Sequence, residues 1–370
     1  MKAFDKRSMK LLREIRTIKS FSCSSPPVPT ELAYIHRLPA ELLQQVFLLI
    51  VNDIPGCPSI FSLEYNTISL NVSNPPLVFT RVCRLWRAVA YSTPEVWSRI
   101  LVALPGKVKP WKPFLPYFLQ CWLARSVRLP LTLWIVDDFQ NRKCNWIEPV
   151  ADSRLLDILL SESQRWETVS MSPVQGWNPD FNTPQLKALE CNESNLRNID
   201  APKLSYLRVD GYFCLTVPNG QSTLTCRDLC HIRLRAASAP AICSTIASFA
   251  HLETIVVDKI IPFHFGDVPA PISNLVLESM TLPLPFYFLE DTRQEFIKIF
   301  TRLHLPMLRK LTLVGAPEKL QVDCLLAMLA VASFQVPVVE FRTGTAPLST
   351  VHKNNITSLL SVVREVTYYG

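Results

Sequence analysis

The residues best suited to chemistry in this sequence are cysteines and histidines, which bind metal ions or act as nucleophiles. Cys226, Cys230 and His231 lie within six residues of one another and form the best candidate for a metal site. Leu229 and Ile232 flank them in a strand-like pattern, and any further ligands would have to come from distant segments. Structural thiols explain this spacing better than zinc does. We therefore expect no metal ion and no cofactor.

Catalytic chemistry has little other support in the sequence. The histidines that remain have no acidic partner at a useful spacing; they are His36, His251, His264, His304 and His352. The motifs GxxxxGK[ST], GxGxxG, HExxH and GxSxG are all missing. A Cys–His nucleophile in an unrecognised cleft remains an alternative, but no set of residues points to it. We predict that the protein is not an enzyme.

Composition indicates a large folded core. The chain has 370 residues, of which 48% are hydrophobic and 19% are charged, which excludes wholesale disorder. This length predicts two domains, or one domain followed by an elongated array. A long uncharged stretch, Cys324–Val339, is shorter than the roughly 20 apolar residues of a membrane span. We expect it to be a buried amphipathic helix that runs into a strand.

Charge is concentrated at the N-terminus. The net charge is +7, and seven basic residues against two acidic ones place +5 of it between Met1 and Lys19. The rest of the chain carries only +2, so we expect no nucleic-acid surface. The basic segment is predicted to be a loosely helical tail, which Ser20–Pro29 interrupts. A mitochondrial presequence or a membrane-surface anchor are the alternatives.

Cysteine usage indicates a reducing compartment. The 11 cysteines are an odd number, are scattered and include no CxxC pair, and no secretory signal precedes them. This pattern argues against an oxidised, secreted framework. We expect the protein in the cytoplasm, the nucleus or both.

Three short helices are expected near the N-terminus. The first follows Leu38-Pro39 and repeats apolar residues with helical spacing up to Ile50. The second is predicted over Val78–Tyr91, and the third, after Pro94, carries Val96, Trp97, Ile100 and Leu101. These helices have more apolar surface than they can bury among themselves, which predicts a partner. The alternative is that the spare surface packs on the rest of the chain.

The order of residues in this region resembles the F-box. The matching set is Leu38-Pro39-x-Glu41-Leu42-Leu43-x-x-Val46-Phe47, then Val82-Cys83-x-x-Trp86-Arg87, then Pro94-x-Val96-Trp97. An insertion, Asn52–Pro76, separates the first two parts, which is a departure from most F-boxes but is frequent in F-box-like proteins of fungi, especially mushrooms. The segment Phe118–Ser126 followed by Pro130–Ile135 is similar to the helix-to-strand junction of those fungal proteins.

The resemblance implies a partner and a set of contacts. F-box proteins dock on the Skp adaptor of a cullin–RING ubiquitin ligase, the SCF type, and present protein substrates for ubiquitination. Transferred residue by residue, the first contacts would be Leu38, Pro39, Leu42, Leu43, Val46 and Phe47. The residues that would complete or brace them are Val82, Cys83, Trp86 and Trp97. Burial of six or more apolar side chains, at roughly 1.5–3 kcal/mol each, exceeds an association cost of about 4–15 kcal/mol.

A short motif, apolar-x-x-apolar-x-apolar, recurs in the C-terminal two thirds of the chain. Copies begin at Trp166, Leu204, Leu229, Leu252, Ile272, Leu308 and Val336, and weaker copies begin at Leu186 and Val363. Most spacings fall in or near the 20–29 residues of leucine-rich repeats, and helical stretches such as Pro240–Ala250 and Thr292–Thr301 lie between copies. We predict an irregular solenoid without the usual asparagine ladder. An ordinary α/β domain with several such strands is the alternative.

In a solenoid, the outward residues of the strands line the concave surface. They are predicted to bind the protein substrate and are Arg208, Asp210, Arg233, Arg235, Asp258, Glu278, Glu340 and Arg342. Their mixed signs favour a polar protein epitope over a polyanion. The alternative for most of them is an ordinary solvated charge.

Together these features predict an α/β protein with a three-helix F-box followed by a leucine-rich-repeat-like solenoid. The predicted parts are a flexible tail at 1–33, the F-box at 34–103, a Pro-rich linker and helix at 104–126, and the repeat domain at 127–370. The expected function is that of a substrate-recognition subunit of a ubiquitin ligase, with the Skp adaptor, a cullin and an unidentified substrate as partners. A protein-interaction scaffold that uses the same repeats outside a ligase is the alternative.

Overall fold

A computed structural model describes residues 38–64, 67–104, 114–137, 153–172, 181–193, 196, 199–213, 225–262, 272–284, 290–344 and 350–369. The predicted tail at 1–33 and most of the Pro-rich linker lie outside these ranges. The chain divides into two compact units, Met1–Leu42 and Leu43–Gly370, and the described part of the first unit is 38–42. No helix in the described ranges has the length and apolar character that crossing a membrane requires.

Helices and strands alternate along most of the described chain. The α-helices are α1 Ala40–Asp53, α2 Phe79–Val82, α3 Arg84–Tyr91, α4 Phe114–Arg125, α5 Ser153–Leu160, α6 Ala239–Ser248, α7 Glu290–Arg302, α8 Lys319–Val331 and α9 Thr350–Thr357. The strands before the middle of the chain are β1 Phe61–Glu64, β2 Thr67–Leu70, β3 Arg99–Leu104, β4 Leu131–Asp137, β5 Trp166–Met171, β6 Phe181–Asn182, β7 Ala188–Asn192 and β8 Ile199–Asp200. Those that follow are β9 Tyr206–Phe213, β10 His231–Ala237, β11 Thr254–Val257, β12 Ile272–Ser273, β13 Ser279–Pro283, β14 Leu303–His304, β15 Lys310–Val314, β16 Val338–Arg342 and β17 Glu365–Tyr369.

Eleven of the described strands form one parallel sheet. Its order is β3-β4-β5-β7-β9-β10-β11-β13-β15-β16-β17, so neighbours in the sheet follow the order of the chain. The short strands pair separately, as β1 with β2, β6 with β8 and β12 with β14. The protein is therefore α/β with a large parallel sheet, which is the coarse fold that the sequence predicted.

One backbone hydrogen-bond pattern repeats at the entrance to successive strands. The carbonyl oxygen of Ser205, just before β9, accepts hydrogen bonds from the N–H groups of both Cys230 and His231, at 3.1 and 2.9 Å. The same doubly accepting carbonyl recurs before other strands, at Lys187, Cys230, Glu253, Glu278 and Pro337. Each of these segments therefore meets the next one through the same hydrogen-bond arrangement.

The two faces of the sheet differ in polarity. Residues such as Leu207 and Val209 of β9 are buried in a single apolar core that also includes the inward sides of the helices. Residues on the other face, such as Ser170, Glu190 and Arg208, lie in one register row across β5, β7 and β9. We call this second side the polar sheet face. Parallel sheets usually have both faces covered by apolar elements, so this one differs from the common doubly wound type.

The predicted second and third helices differ from the observed elements. The Val78–Tyr91 segment is broken at Cys83, whose extended backbone lets its thiol accept a hydrogen bond from the Trp86 N–H at 3.4 Å and so begin α3. The predicted third helix is a 3₁₀ turn that ends at Trp97. Ile100 and Leu101 lie in β3 instead, because parallel pairing with β4 satisfies their backbone groups better than another helical turn would.

The insertion after α1 covers the outer edge of β3. The backbone N–H of Leu101 donates to the Pro58 carbonyl oxygen at 2.8 Å. The N–H of Ile60 donates to the Leu101 carbonyl oxygen at 3.2 Å. Arg99 also donates to the Asn52 side-chain oxygen at 2.9 Å and to the Gly56 carbonyl oxygen at 2.7 Å. The insertion therefore occupies an edge that would otherwise expose unpaired backbone groups.

Most of the predicted repeat strands form where the motif places them. The copies at Trp166, Leu186, Leu204, Leu229, Leu252, Leu308, Val336 and Val363 each lead into or form a strand of the large sheet. The helices expected at 240–250 and 292–301 correspond to α6 and α7, and the uncharged stretch from Cys324 runs from α8 into β16 as expected. The helix and strand predicted at 118–126 and 130–135 are also observed, as α4 and β4.

One repeat copy was placed wrongly. Leu275, the central residue of the predicted copy at Ile272, is 66% exposed. The strand of this copy is β13. Leu277, just before the strand, and Met280 and Leu282 within it fill the three buried positions. A copy that begins at Leu277 buries all three of its apolar side chains. The copy predicted at Ile272 leaves its central residue, Leu275, in solvent. The corrected position changes the flanking spacings from 20 and 36 residues to 25 and 31.

Candidate partner-binding site

The inward side of α1, α2 and α3 is an aromatic cluster. The rings of Phe47 and Phe79 stack with centroids 4.1 Å apart, and Trp86 meets Phe47 edge-on at 5.0 Å. Leu43 and Phe47 are fully buried, and Trp86 is partly buried against the core. These aromatic contacts fix the three helices to one another, so Leu43 and Phe47 support a surface and are not part of it.

Trp97 is also internal. Its ring packs against Trp122 of α4 with centroids 5.1 Å apart, and its indole N–H donates to the Ala90 carbonyl oxygen at 2.7 Å. The Trp122 indole in turn donates to the Trp97 carbonyl oxygen at 3.0 Å. Trp97 therefore connects the end of α3 to α4.

The outward side of the same helices is apolar and exposed. Leu49 is 69% exposed and Val82 is 52% exposed. Val46, Ile50 and Leu85 are exposed to smaller extents. We define the helical docking face as Val46, Leu49, Ile50, Val82 and Leu85. Of the 21 large apolar side chains that the described residues expose, seven lie on α1–α3, so exposed apolar surface is concentrated here.

The other sequence-predicted contact residues occupy several environments. In the first unit, Leu42 and Pro39 are exposed and Leu38 is half-buried. Cys83 is half-buried, because it starts α3. Sequence reasoning did not assign Leu49, Ile50 or Leu85 to the site. Helical spacing could have found Leu49, because it follows Val46 by three residues.

Basic side chains accompany the helical docking face. Arg81, Arg84 and Arg87 are all exposed, and α2 and α3 contain no carboxylate. Arg87 has a structural role, because its Nε donates to the Thr80 carbonyl oxygen at the end of α2 at 2.7 Å. The exposed surface of these helices is thus both apolar and positively charged.

The polar sheet face holds most of the residues predicted to bind substrate, and pairs within the chain neutralise several of them. Arg233 forms a two-point contact with Asp258, with nitrogen–oxygen distances of 3.1 and 3.0 Å. Arg208 lies 3.4 Å from Asp210, and Glu278 lies 3.7 Å from Arg309. The result is a ladder of alternating charges.

Glu340 and Arg235 depart from this pattern in opposite ways. Glu340 was predicted to face outward, but it is only 2% exposed, and its carboxylate is paired with Lys310 at 2.5 Å and Arg342 at 2.6 Å. Burial raises the pKa of Glu340, yet the hydrogen bonds from the two cations outweigh burial and hold the pKa below its usual range. Arg235 is exposed and lies where the pairing of β9 with β10 shifts register, between Leu234 and Ala236.

The cysteine and histidine cluster does not assemble a metal site. The Cys230 thiol donates to the Asp228 carbonyl oxygen at 3.1 Å, and His231 Nδ1 lies 2.8 Å from the Thr254 hydroxyl. Burial raises the pKa of Cys226 to about 11, which keeps it a protonated thiol and a poor ligand at neutral pH. In the ranges that the structure describes, no three His, Cys, Asp or Glu side chains are gathered as metal ligands.

No protein-family model matches this chain, and neither the curated proteins nor the solved structures include a significant match.

Proposed function

We propose that this protein is the substrate-recognition subunit of an SCF-type cullin–RING ubiquitin ligase. Its α1–α3 region acts as an F-box that docks on the Skp adaptor, and the large sheet binds a protein substrate. The ordered residue set from Leu38 to Trp97 motivates the proposal. The exposed apolar side chains of α1–α3 support it. The protein contributes no catalytic residue, because the ligase's other subunits carry out ubiquitin transfer.

The observation that carries the proposal is the helical docking face. Its five apolar side chains are exposed on helices whose inward sides are joined by an aromatic cluster. A rigid apolar surface loses little conformational entropy on binding, so more of the burial energy becomes affinity. A side chain such as Leu49 provides roughly 1.5–3 kcal/mol when it is buried, about a 10- to 100-fold change in the dissociation constant.

The substrate-binding part of the proposal is a leucine-rich-repeat-like solenoid. Three features support this interpretation: strands follow chain order across the sheet, the doubly accepting carbonyl recurs at strand entrances, and one face is polar. A doubly wound domain would need apolar helices over both faces. On this interpretation the polar sheet face is the concave surface that meets the substrate.

The adaptor contact is tested by co-purification of the full-length protein with a recombinant fungal Skp adaptor. We expect Leu49→Asp and Val82→Asp to weaken binding at least tenfold, because a buried unpaired carboxylate would oppose docking. Both side chains are already exposed, so neither change should disturb the fold. Trp86 is a poorer test position, because its truncation would remove support from Phe47.

Leu320→Asp is the matched control. Leu320 is a helical leucine of similar exposure, 57%, on α8. The control should bind the adaptor like the wild type. Unchanged binding of both Leu49→Asp and Val82→Asp would exclude the assigned interface.

A scaffold outside the ubiquitin pathway would use the same two surfaces. Reconstituted ubiquitination with the adaptor, a cullin and a candidate substrate separates the two functions. A ligase subunit should increase substrate ubiquitination only when its docking face is intact. A scaffold should bind the same substrate and leave its ubiquitination unchanged.

A further inference from the structure

We propose that the partner of the helical docking face presents an acidic surface, in which carboxylates surround an apolar groove. This inference rests on the proposed function, because it assigns a chemistry to the adaptor's side of the same contact. It goes beyond apolar docking because it makes electrostatic attraction a second requirement for binding.

The positive charges are interleaved with the apolar side chains of the face. Arg81 directly precedes Val82, and Arg84 directly precedes Leu85, and all four side chains are exposed. Because arginine side chains are long and these two border Val82 and Leu85, a partner that covers the two apolar side chains comes within reach of both guanidinium groups.

Among the described residues of α2, α3 and the part of α1 in the second unit, no carboxylate pairs with these charges. Helices α2 and α3 contain three arginines and no acidic residue, and the part of α1 in the second unit has only Asp53, at its C-terminal end. Neither Arg81 nor Arg84 forms an ion pair with any described residue. On the polar sheet face, by contrast, Arg233 has its own carboxylate, Asp258.

The cost of desolvation determines which partner can dock. A neutral or basic partner that covered Arg81 and Arg84 would remove two cations from water without compensation, which opposes binding. An acidic partner would pair with them, and arginine suits this role because its planar group binds carboxylates at two points. Opposite charges also accelerate association at low ionic strength.

The test measures the affinity of the full-length protein for a purified fungal Skp adaptor by calorimetry at 50, 150 and 500 mM NaCl. We expect the wild-type affinity to fall about tenfold over this range, because salt screens pairs near the rim of an interface. The double variant Arg81→Glu/Arg84→Glu should bind at least tenfold more weakly at 50 mM. Its affinity should no longer fall as salt is added, because its carboxylates repel an acidic partner and salt screens that repulsion. Arg81→Lys/Arg84→Lys retains the charge and should retain most of the salt dependence.

The double variant Arg227→Glu/Arg302→Glu is the control for the change in total charge, because both arginines are exposed and neither lies on α1, α2 or α3. It should behave like the wild type. Tight binding that is insensitive to salt and to the Arg81→Glu/Arg84→Glu change would overturn this inference and leave the proposed function standing. Failure of the wild type to bind the adaptor at any salt concentration would overturn both.

Discussion

At the scale of single residues, buried polar groups carry structural roles that their surroundings determine. Glu340 is an internal carboxylate held by two cations, and Asn274 is an internal amide that satisfies four backbone groups. Both are polar residues in a part of the chain that is otherwise apolar. Each is stable there because all of its main hydrogen-bonding capacity is used.

Glu340→Gln should lower the free energy of unfolding by about 1–3 kcal/mol at pH 7, because the amide leaves Lys310 and Arg342 without their counter-charge. The pKa of Glu340 is lowered from its ordinary 4.5. Its carboxylate therefore stabilises the fold above that pH, and the contribution is lost as the pH falls through the lower, folded-state pKa. Urea unfolding of the wild type and the variant should show the difference between them shrinking from pH 7 to pH 4.

The matched control for this prediction is Glu278→Gln. Glu278 is an exposed carboxylate of the same sheet, 3.7 Å from Arg309. Exposed pairs of this kind contribute little, so the change should be smaller than about 0.5 kcal/mol. Equal effects at the two positions would contradict the special role of Glu340.

Asn274→Ala should destabilise the protein by about 2–4 kcal/mol. The amide nitrogen donates to the carbonyl oxygens of Ile246 and Phe249 near the end of α6, at 3.2 and 3.3 Å. The amide oxygen accepts from the N–H groups of Val276 and Leu277, both at 2.9 Å. Removal of the side chain leaves these buried groups unpaired. Denaturant unfolding measures the loss.

The comparison for Asn274 is Asn354→Ala, at an exposed position on α9. It should change stability by less than about 0.5 kcal/mol. A similar loss in both variants would show that Asn274 does no more than a surface asparagine.

At the scale of elements, the junctions between helices and strands hold the fold together. Ser126 ends α4 in a buried position, and Arg165, just before β5, reaches back to it. The Arg165 side chain donates to the Ser126 hydroxyl at 2.7 Å, to the Leu129 carbonyl oxygen at 2.9 and 3.0 Å, and to Glu162 at 2.7 Å. This single guanidinium connects α4, β4 and β5.

Arg165→Lys should lower the melting temperature, with a loss of about 1–3 kcal/mol, because an ammonium group cannot reproduce the fork that reaches three acceptors at once. Thermal unfolding followed by circular dichroism gives the measurement. Arg302→Lys, at an exposed position at the end of α7, is the control and should leave the melting temperature unchanged. Equal melting temperatures for Arg165→Lys and the wild type would refute the role of the junction.

At the scale of the whole molecule, the second unit is built as one continuous sheet. Strand β3 follows the α1–α3 region directly and pairs with β4 over six residues, from Arg99 with Thr132 to Leu104 with Asp137. The segment 58–60 then covers the free edge of β3. The helices that carry the helical docking face are therefore joined directly to the first strand of the sheet.

The fragment 127–370 should be less stable than the full chain and should form soluble aggregates. Removal of β3 exposes the backbone edge of β4, and removal of α4 takes away Trp122 and Leu123 from the core over it. Size-exclusion chromatography with light scattering would detect the aggregates. A monomeric fragment with the melting temperature of the full chain would show instead that the repeat domain is independent of its N-terminal neighbours.

The sequence by itself determined the α/β class, the positions of most repeat strands and the apolar character of the first helices. These features follow from local periodicity. A strand whose apolar and polar residues alternate, or a helix whose apolar residues recur every 3.6 positions, has only one apolar side to bury. It also identified the aromatic set of Phe47, Trp86 and Trp97, although it did not distinguish the buried members from the exposed ones.

Only the tertiary structure decided which side chains of that set are buried. It also decided whether segments with an ambiguous pattern form helices or strands. The local pattern at Ile100 and Leu101 fits a helix or a strand equally well. Parallel pairing with β4 makes this segment a strand. The sequence predicts a surface charge at Glu340, but in the structure its carboxylate is buried in ion pairs with Lys310 and Arg342. The physical reason is the same in both cases: long-range contacts, which local spacing does not encode, supply the free energy that selects between local alternatives.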